Sequence, residues 1–202
     1  MVSRDGAFGI LMSAAVGTLF FVPAHGSAQD SLSVSCADVY SRSPLEDLTR
    51  CVEQGHAGAQ SALGLKYASG AGVPEDDVEA VRWYRLAAEQ GHGGAQTSLG
   101  FRYRYGRGVP EDDVEAVRWY RLAAEQGHAD AQTRLGRMYA VGEGVPEDRV
   151  LTYMWINLAA AQGNEAAQGL KDLLEGQMAR EQIAEAQRLS TEWQEAHPPD
   201  GN

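Results

Sequence analysis

The chain has 202 residues and carries 17 lysines and arginines against 28 aspartates and glutamates, a formal net charge of −11. That excess of acid argues against nucleic acid or an anionic membrane surface as the main partner, because both repel it. Acidity of this size favours solubility and identifies no ligand.

In chain order, residues 1–28 come first. Arg4 precedes the apolar run Ala7 to Val22, and the small residues Ala24, Gly26 and Ala28 follow. The run is shorter than the roughly 20 residues that a membrane-spanning helix needs. This arrangement predicts a secretory signal peptide cut after Ala28 or Gly26, with an uncleaved anchor as the alternative. No cysteine directly follows the apolar run, so lipid attachment is not expected. The expected location is periplasmic or secreted, with no integral membrane span in the mature chain.

Residues 29–58 read as an N-terminal segment and half of a helical unit. Pro44 to Gln54 aligns with the second helix of the units that follow, and Ser43 before Pro44 supplies a helix start. Cys36 lies before this helix, and Cys51 aligns with Ala87, Ala123 and Ala159. In an oxidising compartment a Cys36–Cys51 disulfide would pin the N-terminal segment over the open end of the array, adding about 3 kcal/mol. The alternative is a buried thiol at Cys51 and an unrelated exposed one at Cys36.

The body of the chain is a tandem repeat. VPEDDVEAVRWYRLAAEQGH occurs unchanged at Val73 to His92 and at Val109 to His128, an offset of 36 residues. Extending that offset gives units at 59–94, 95–130 and 131–166. Such self-similarity predicts stacked copies of one small element, which more often make a binding surface than a catalytic pocket. Within each unit the apolar phase shifts midway, so two short helices joined by a turn are expected. The first carries Ala59, Leu63, Gly64 and Tyr67 on one stripe, and the second carries Ala80, Trp83, Tyr84, Ala87 and Ala88. Gly70, Gly72, Val73 and Pro74 break the first helix, and Asp76 with Glu79 three residues on starts the second. Gly91, Gly127 and Gly163 end each second helix. The acidic runs Glu75–Asp77 and Glu111–Asp113 suit helix N-termini better than a calcium site.

The third unit has Leu151, Thr152, Tyr153, Met154 and Ile156 where the others are smaller or more polar, so it is expected to pack against something C-terminal. Residues 167–196, with Leu170, Leu173, Leu174, Ile183, Ala186, Ser190 and Trp193, read as two capping helices. Residues 197–202 read as a tail.

The pattern AQxxLGxxYxxGxGVPED followed by AVxWYRLAAEQG resembles the Sel-one-like repeat, a relative of the tetratricopeptide repeat. The resemblance implies an all-α, right-handed α-solenoid of stacked helical hairpins whose first helices line the concave face. It also implies a non-enzymatic adaptor or regulator of the bacterial envelope that binds a protein or peptide segment in its groove. Some cysteine-rich relatives are described as β-lactam-binding or hydrolysing enzymes. Those carry a cysteine pair in each unit, whereas this chain has only two cysteines. Cell-wall glycan is a further alternative, since tyrosine and tryptophan suit sugars as well as peptides.

No HExxH, CxxC, GxxxxGK, GxSxG or SxxK motif is present, so no catalytic residue, cofactor or metal is expected. His56, His92 and His128 recur one unit apart, too far to share an ion, and each follows a helix-ending glycine as a turn residue would. Comparing the first two units gives the functional clue. Nine positions differ, and seven of them lie on the first helix or its exit turn, including Leu65 and Lys66 against Phe101 and Arg102. The stretch Phe101 to Arg107, FRYRYGR, adds Arg104, Tyr105 and Arg107. Arginine and tyrosine are favoured at protein contacts. The expected partner-binding set is therefore Leu65, Lys66, Phe101, Arg102, Arg104, Tyr105 and Arg107, facing an acidic or extended peptide. The competing reading pairs these arginines with Glu111, Asp112 and Asp113.

Overall fold

The computed structural model describes Cys36 and residues 45–198. The expected signal peptide at 1–28, the helix start at Ser43–Pro44 and residues 199–202 lie outside the described residues.

Among the described residues every long element is a helix. The order is α1 (Leu45–Glu53), α2 (Ala57–Ser69), α3 (Asp77–Glu89), α4 (Gly93–Arg104), α5 (Asp113–Glu125), α6 (Ala129–Val141), α7 (Arg149–Ala161), α8 (Glu165–Glu175) and α9 (Arg180–Ala196). The expectation of an all-α array holds: α2–α3, α4–α5 and α6–α7 are three successive hairpins. From α1 to α8 each helix packs on its neighbours in sequence, and α9 returns to pack on α7.

Local chemistry sets the boundaries. The Asp76 carboxylate accepts from the Val78 and Glu79 amides at 2.9 and 3.0 Å, satisfying donors left open at the start of α3. Asp112 and Asp148 repeat this at α5 and α7, taking the Glu115 and Leu151 amides at 3.0 and 2.9 Å. At the other end Gly91, Gly127 and Gly163 have φ of 87°, 86° and 84°, a left-handed turn that a side chain would strain.

Stacking explains the tryptophans. Trp119 is buried among Ala80, Val81, Tyr84 and Ala87 of the hairpin before it, and Trp155 is buried among Ala116, Val117, Tyr120 and Ala123 in the same way. Trp83 has only the half-unit α1 before it and stays half-buried against the Leu48, Cys51 and Leu63 cluster. Each hairpin therefore completes the core of its predecessor.

A second adhesive is polar. Gln90 donates to Gln60, Gln126 to Gln96 and Gln162 to Gln132, at 2.7, 2.8 and 2.8 Å, tying the two helices of each hairpin. Gln96 and Gln132 then donate at 3.1 Å to the carbonyls of Ala88 and Ala124 in the preceding hairpin. Arg85 and Arg121 reach forward to the Tyr103 and Tyr139 hydroxyls at 2.7 and 3.0 Å. Buried amides that satisfy one another in this way fix register as well as contact.

At the C-terminal end α8 and α9 lie on α7. The Tyr153 hydroxyl donates to Glu175 at 2.7 Å, Trp193 meets Trp155 edge-on with centroids 6.1 Å apart, and Ala186 and Ser190 are buried. At the N-terminal end Cys36 and Cys51 are joined by a disulfide with their Cα atoms 5.4 Å apart, and Cys51 is fully buried.

Candidate binding groove

The first helices of the three hairpins, α2, α4 and α6, border one groove of about 630 Å³. Its lining includes Leu65, Ala68, Thr97, Ser98, Phe101 and Arg134. With the exception of Tyr84 and His128, every residue lining it occupies a register at which the first two units differ. The positions held constant between those units include the capping, glutamine-ladder and tryptophan residues that build the stack.

The expected contact residues divide by helical phase. Leu65 and Tyr105 are exposed, 45% and 52%, and Phe101 is half-buried in the groove. Phe101 and Tyr105, one helical turn apart, bring their rings to 4.6 Å between centroids. Arg107 is exposed, with its guanidinium carbon 5.6 Å from the Phe101 ring centre. Lys66 and Arg102 turn the other way and are buried. Arg102 touches the groove with its flank but is ion-paired with Asp77 of the preceding hairpin. The matching residue of the third unit is Met138, which is fully buried and marks this register as a stacking position. It lies three residues beyond Leu63, Leu99 and Leu135 and so stays on the core side of the helix. Burial removes Lys66 and Arg102 from an accessible contact set. Arg104 is half-buried and pairs with Glu143 of the next unit at 2.5 Å. Arg102 and Arg104 thus find acids in neighbouring units, Asp77 and Glu143, instead of Glu111, Asp112 and Asp113, and Arg107 pairs with none of these among the described residues.

Arg134 was missed in the sequence. Its guanidinium carbon stands 5.3 Å from the Phe101 ring centre, so one ring carries two cations. It occupies the register of Ala62 and Ser98, a variable position, and extending the comparison to the third unit would have found it. Beneath it lies Tyr120, whose hydroxyl is buried, close to Arg134, and without a well-aligned hydrogen-bond partner among the described residues. Burial pushes this phenol up to about 12.

The histidines stand at helix N-cap positions, and only His92 makes the cap bond with its side chain. His56, His92 and His128 hold the N-cap positions of α2, α4 and α6, and Asn164 holds that of α8. His92 Nδ1 accepts from the Ala95 amide at 3.1 Å, as the Asn164 side chain accepts from Ala167 at 2.9 Å. Burial first, and the nearby His128 second, lower the His92 pKa below 6.5. The His128 imidazole lies so close over Gly93 that a Cβ there would overlap it. Among the described residues no group of three or more histidine, cysteine, aspartate or glutamate side chains could hold a metal ion.

Fold and groove together define a solenoid of tandem helical hairpins in which the first helix of each unit borders the groove. The Sel1 repeat family model matches residues 57–92, 94–128 and 129–164, more than half of the chain, which belongs to this family. A Sel1 repeat protein from Oxalobacter formigenes, solved by crystallography, is 44% identical with a TM-score of 0.59, covering 63% of this chain and 96% of its own. A second crystal structure is a protective antigen present in uropathogenic Escherichia coli strains and displaying an SLR fold. It is 28% identical with a TM-score of 0.60, covering 77% of this chain, and this chain spans 41% of that antigen. A comparison with curated proteins gives no match. Sel1 repeat proteins are generally protein-interaction adaptors built on non-catalytic scaffolds. No helix among the described residues is long and apolar enough to cross a membrane.

Proposed function

We propose that this chain is a non-enzymatic adaptor or regulator of the bacterial envelope, periplasmic or secreted, that holds a protein or peptide segment in the groove across α2, α4 and α6. The carrying observation is the coincidence of that groove with the residues that differ between two otherwise near-identical units. Binding of this kind needs a rigid, pre-formed surface and no chemical step. The leader-like residues 1–28 and the Cys36–Cys51 disulfide support an oxidising compartment.

A photo-crosslinking residue placed at Phe101, or at exposed Glu89 on α3 as a control, tests the reading in the native host. A discrete protein adduct from the Phe101 site alone is expected, in the periplasmic or secreted fraction. Equal labelling from both sites, labelling confined to the cytosol, or β-lactam hydrolysis by the purified chain would count against it.

A further inference from the structure

We infer that the segment held in the groove is acidic and extended, with carboxylates on Arg107 and Arg134 and an apolar side chain against the Phe101 ring between them. The inference rests on the groove reading above and adds the chemistry of the occupant.

Charge complementarity carries it. In a chain of net charge −11, residues 93–109 and 129–141 carry five arginines and a single carboxylate, Asp130. Arg102 and Arg104 are committed to Asp77 and Glu143, and Asp130 accepts from the Asn164 amide at 3.0 Å. Arg107, Arg134 and Arg137 have no carboxylate partner among the described residues. Elsewhere most exposed arginines of the helices find one within a helical turn, Arg82 with Glu79, Arg118 with Glu115 and Arg188 with Glu185, Arg180 at the start of α9 being an exception. Arg107 and Arg134, both against the Phe101 ring, put two unmatched guanidinium groups at the groove of an acidic protein and attract anions there.

The first unit shows that this charge is not a requirement of the repeat. Where α2 and its exit turn carry Ala62, Leu65, Ala68 and Ala71, α4 and its turn carry Ser98, Phe101, Arg104 and Arg107. The second helices of the same two units are identical, so the basic character is confined to the groove side. Guanidinium groups bind carboxylates through paired hydrogen bonds. Both cations lie within 5.6 Å of one ring centre, so one short extended segment, in which alternate side chains point the same way, can reach both and the ring from a single face.

A random twelve-residue displayed peptide library, selected against the full chain, reads this directly. Selected pools are expected to be enriched in aspartate and glutamate, and synthetic versions should lose about tenfold in affinity on Arg107→Gln or Arg134→Gln. Arg107→Glu with Arg134→Glu should turn the selection towards lysine and arginine, while Arg118→Gln on the second helix of its unit leaves it unchanged. Pools without acidic enrichment, no enrichment at all, or acidic pools that bind the glutamine variants equally overturn the inference. Arg107 is exposed, so its single variant keeps the test readable if changes at Arg134 disturb folding. An adduct at Phe101 whose captured segment is apolar, or is a second copy of this chain, would defeat the charge inference and leave the groove reading standing. Absence of any adduct at Phe101 defeats the groove reading itself.

Discussion

A methyl group added at Gly100 would stand 2.7 Å from two carbons of the Tyr120 ring, inside ordinary contact distance. Ring and helix backbone would have to part, so Gly100→Ala is expected to cost about 1–3 kcal/mol in urea unfolding. Gly58, with nothing within 4 Å of the same added atom, is the control, and Gly58→Ala should gain about 0.5–1 kcal/mol from helix propensity. Equal effects at the two sites would mean that the ring contact sets no limit. His92 tests a different property of a single residue. Its folded pKa is depressed below 6.5, so its neutral form stabilises the fold above that value and the contribution is lost as pH falls through the folded pKa. His92→Asn, which copies the cap found at Asn164, should flatten the thermal stability profile on the acid side of 6.5 relative to the parent chain. An unchanged profile would show that this cap does not titrate with folding. The glycine was readable as a small residue on the buried stripe and the histidine as a turn residue. That the glycine faces the Tyr120 ring depends on the neighbouring helix, whereas the His92 cap is local, made to the Ala95 amide three residues on.

Between helices, the glutamine ladder is the feature the repeat pattern contained without explaining. Gln132 is fully buried, accepts from Gln162 at 2.8 Å and donates to the Ala124 carbonyl at 3.1 Å. Gln132→Ala strands the Ala124 carbonyl in a dry site, while exposed Gln162 turns to water, so a loss of about 1–3 kcal/mol is expected from chemical denaturation. A neutral result would assign cohesion of the hairpins to their apolar contacts alone. The apolar stripes, by contrast, were legible because period and residue size suffice to locate a buried helix face. The division of α4 into stacking and groove residues was not: Phe101 and Arg102 are adjacent in sequence and both touch the groove, yet only Arg102 is buried and committed to Asp77. Side chains as long as lysine and arginine can lie at the edge of a stripe and still be drawn into the stack.

For the molecule as a whole, stability in a stacked array is a sum over neighbouring units, and its ends are where the sum is cut short. The C-terminal end is covered by α8 and α9 on α7, the N-terminal end by α1 and the Cys36–Cys51 link. The two cysteines are 15 positions apart, and closing such a loop contributes about 3 kcal/mol by restricting the unfolded chain. Dithiothreitol should therefore lower the melting temperature of the parent chain and leave that of a Cys36→Ser, Cys51→Ala variant unmoved. Alanine is the residue found at the Cys51 register in all three later units. Equal melting of the parent with and without reductant would show that the link adds nothing to folding.

Taken alone, the sequence determined the period, the two helices per unit, their caps and the all-α class, because a near-verbatim repeat displays its own boundaries and its own buried stripe. Tertiary structure decided which variable positions meet in one groove, that Arg134 joins Phe101 there, and that Lys66 and Arg102 belong to the core. Those choices follow from the superhelical offset between successive hairpins, which places residues about 33 positions apart, such as Phe101 and Arg134, beside one another. One copy of a repeat, however regular, contains no record of the angle at which the next one stacks.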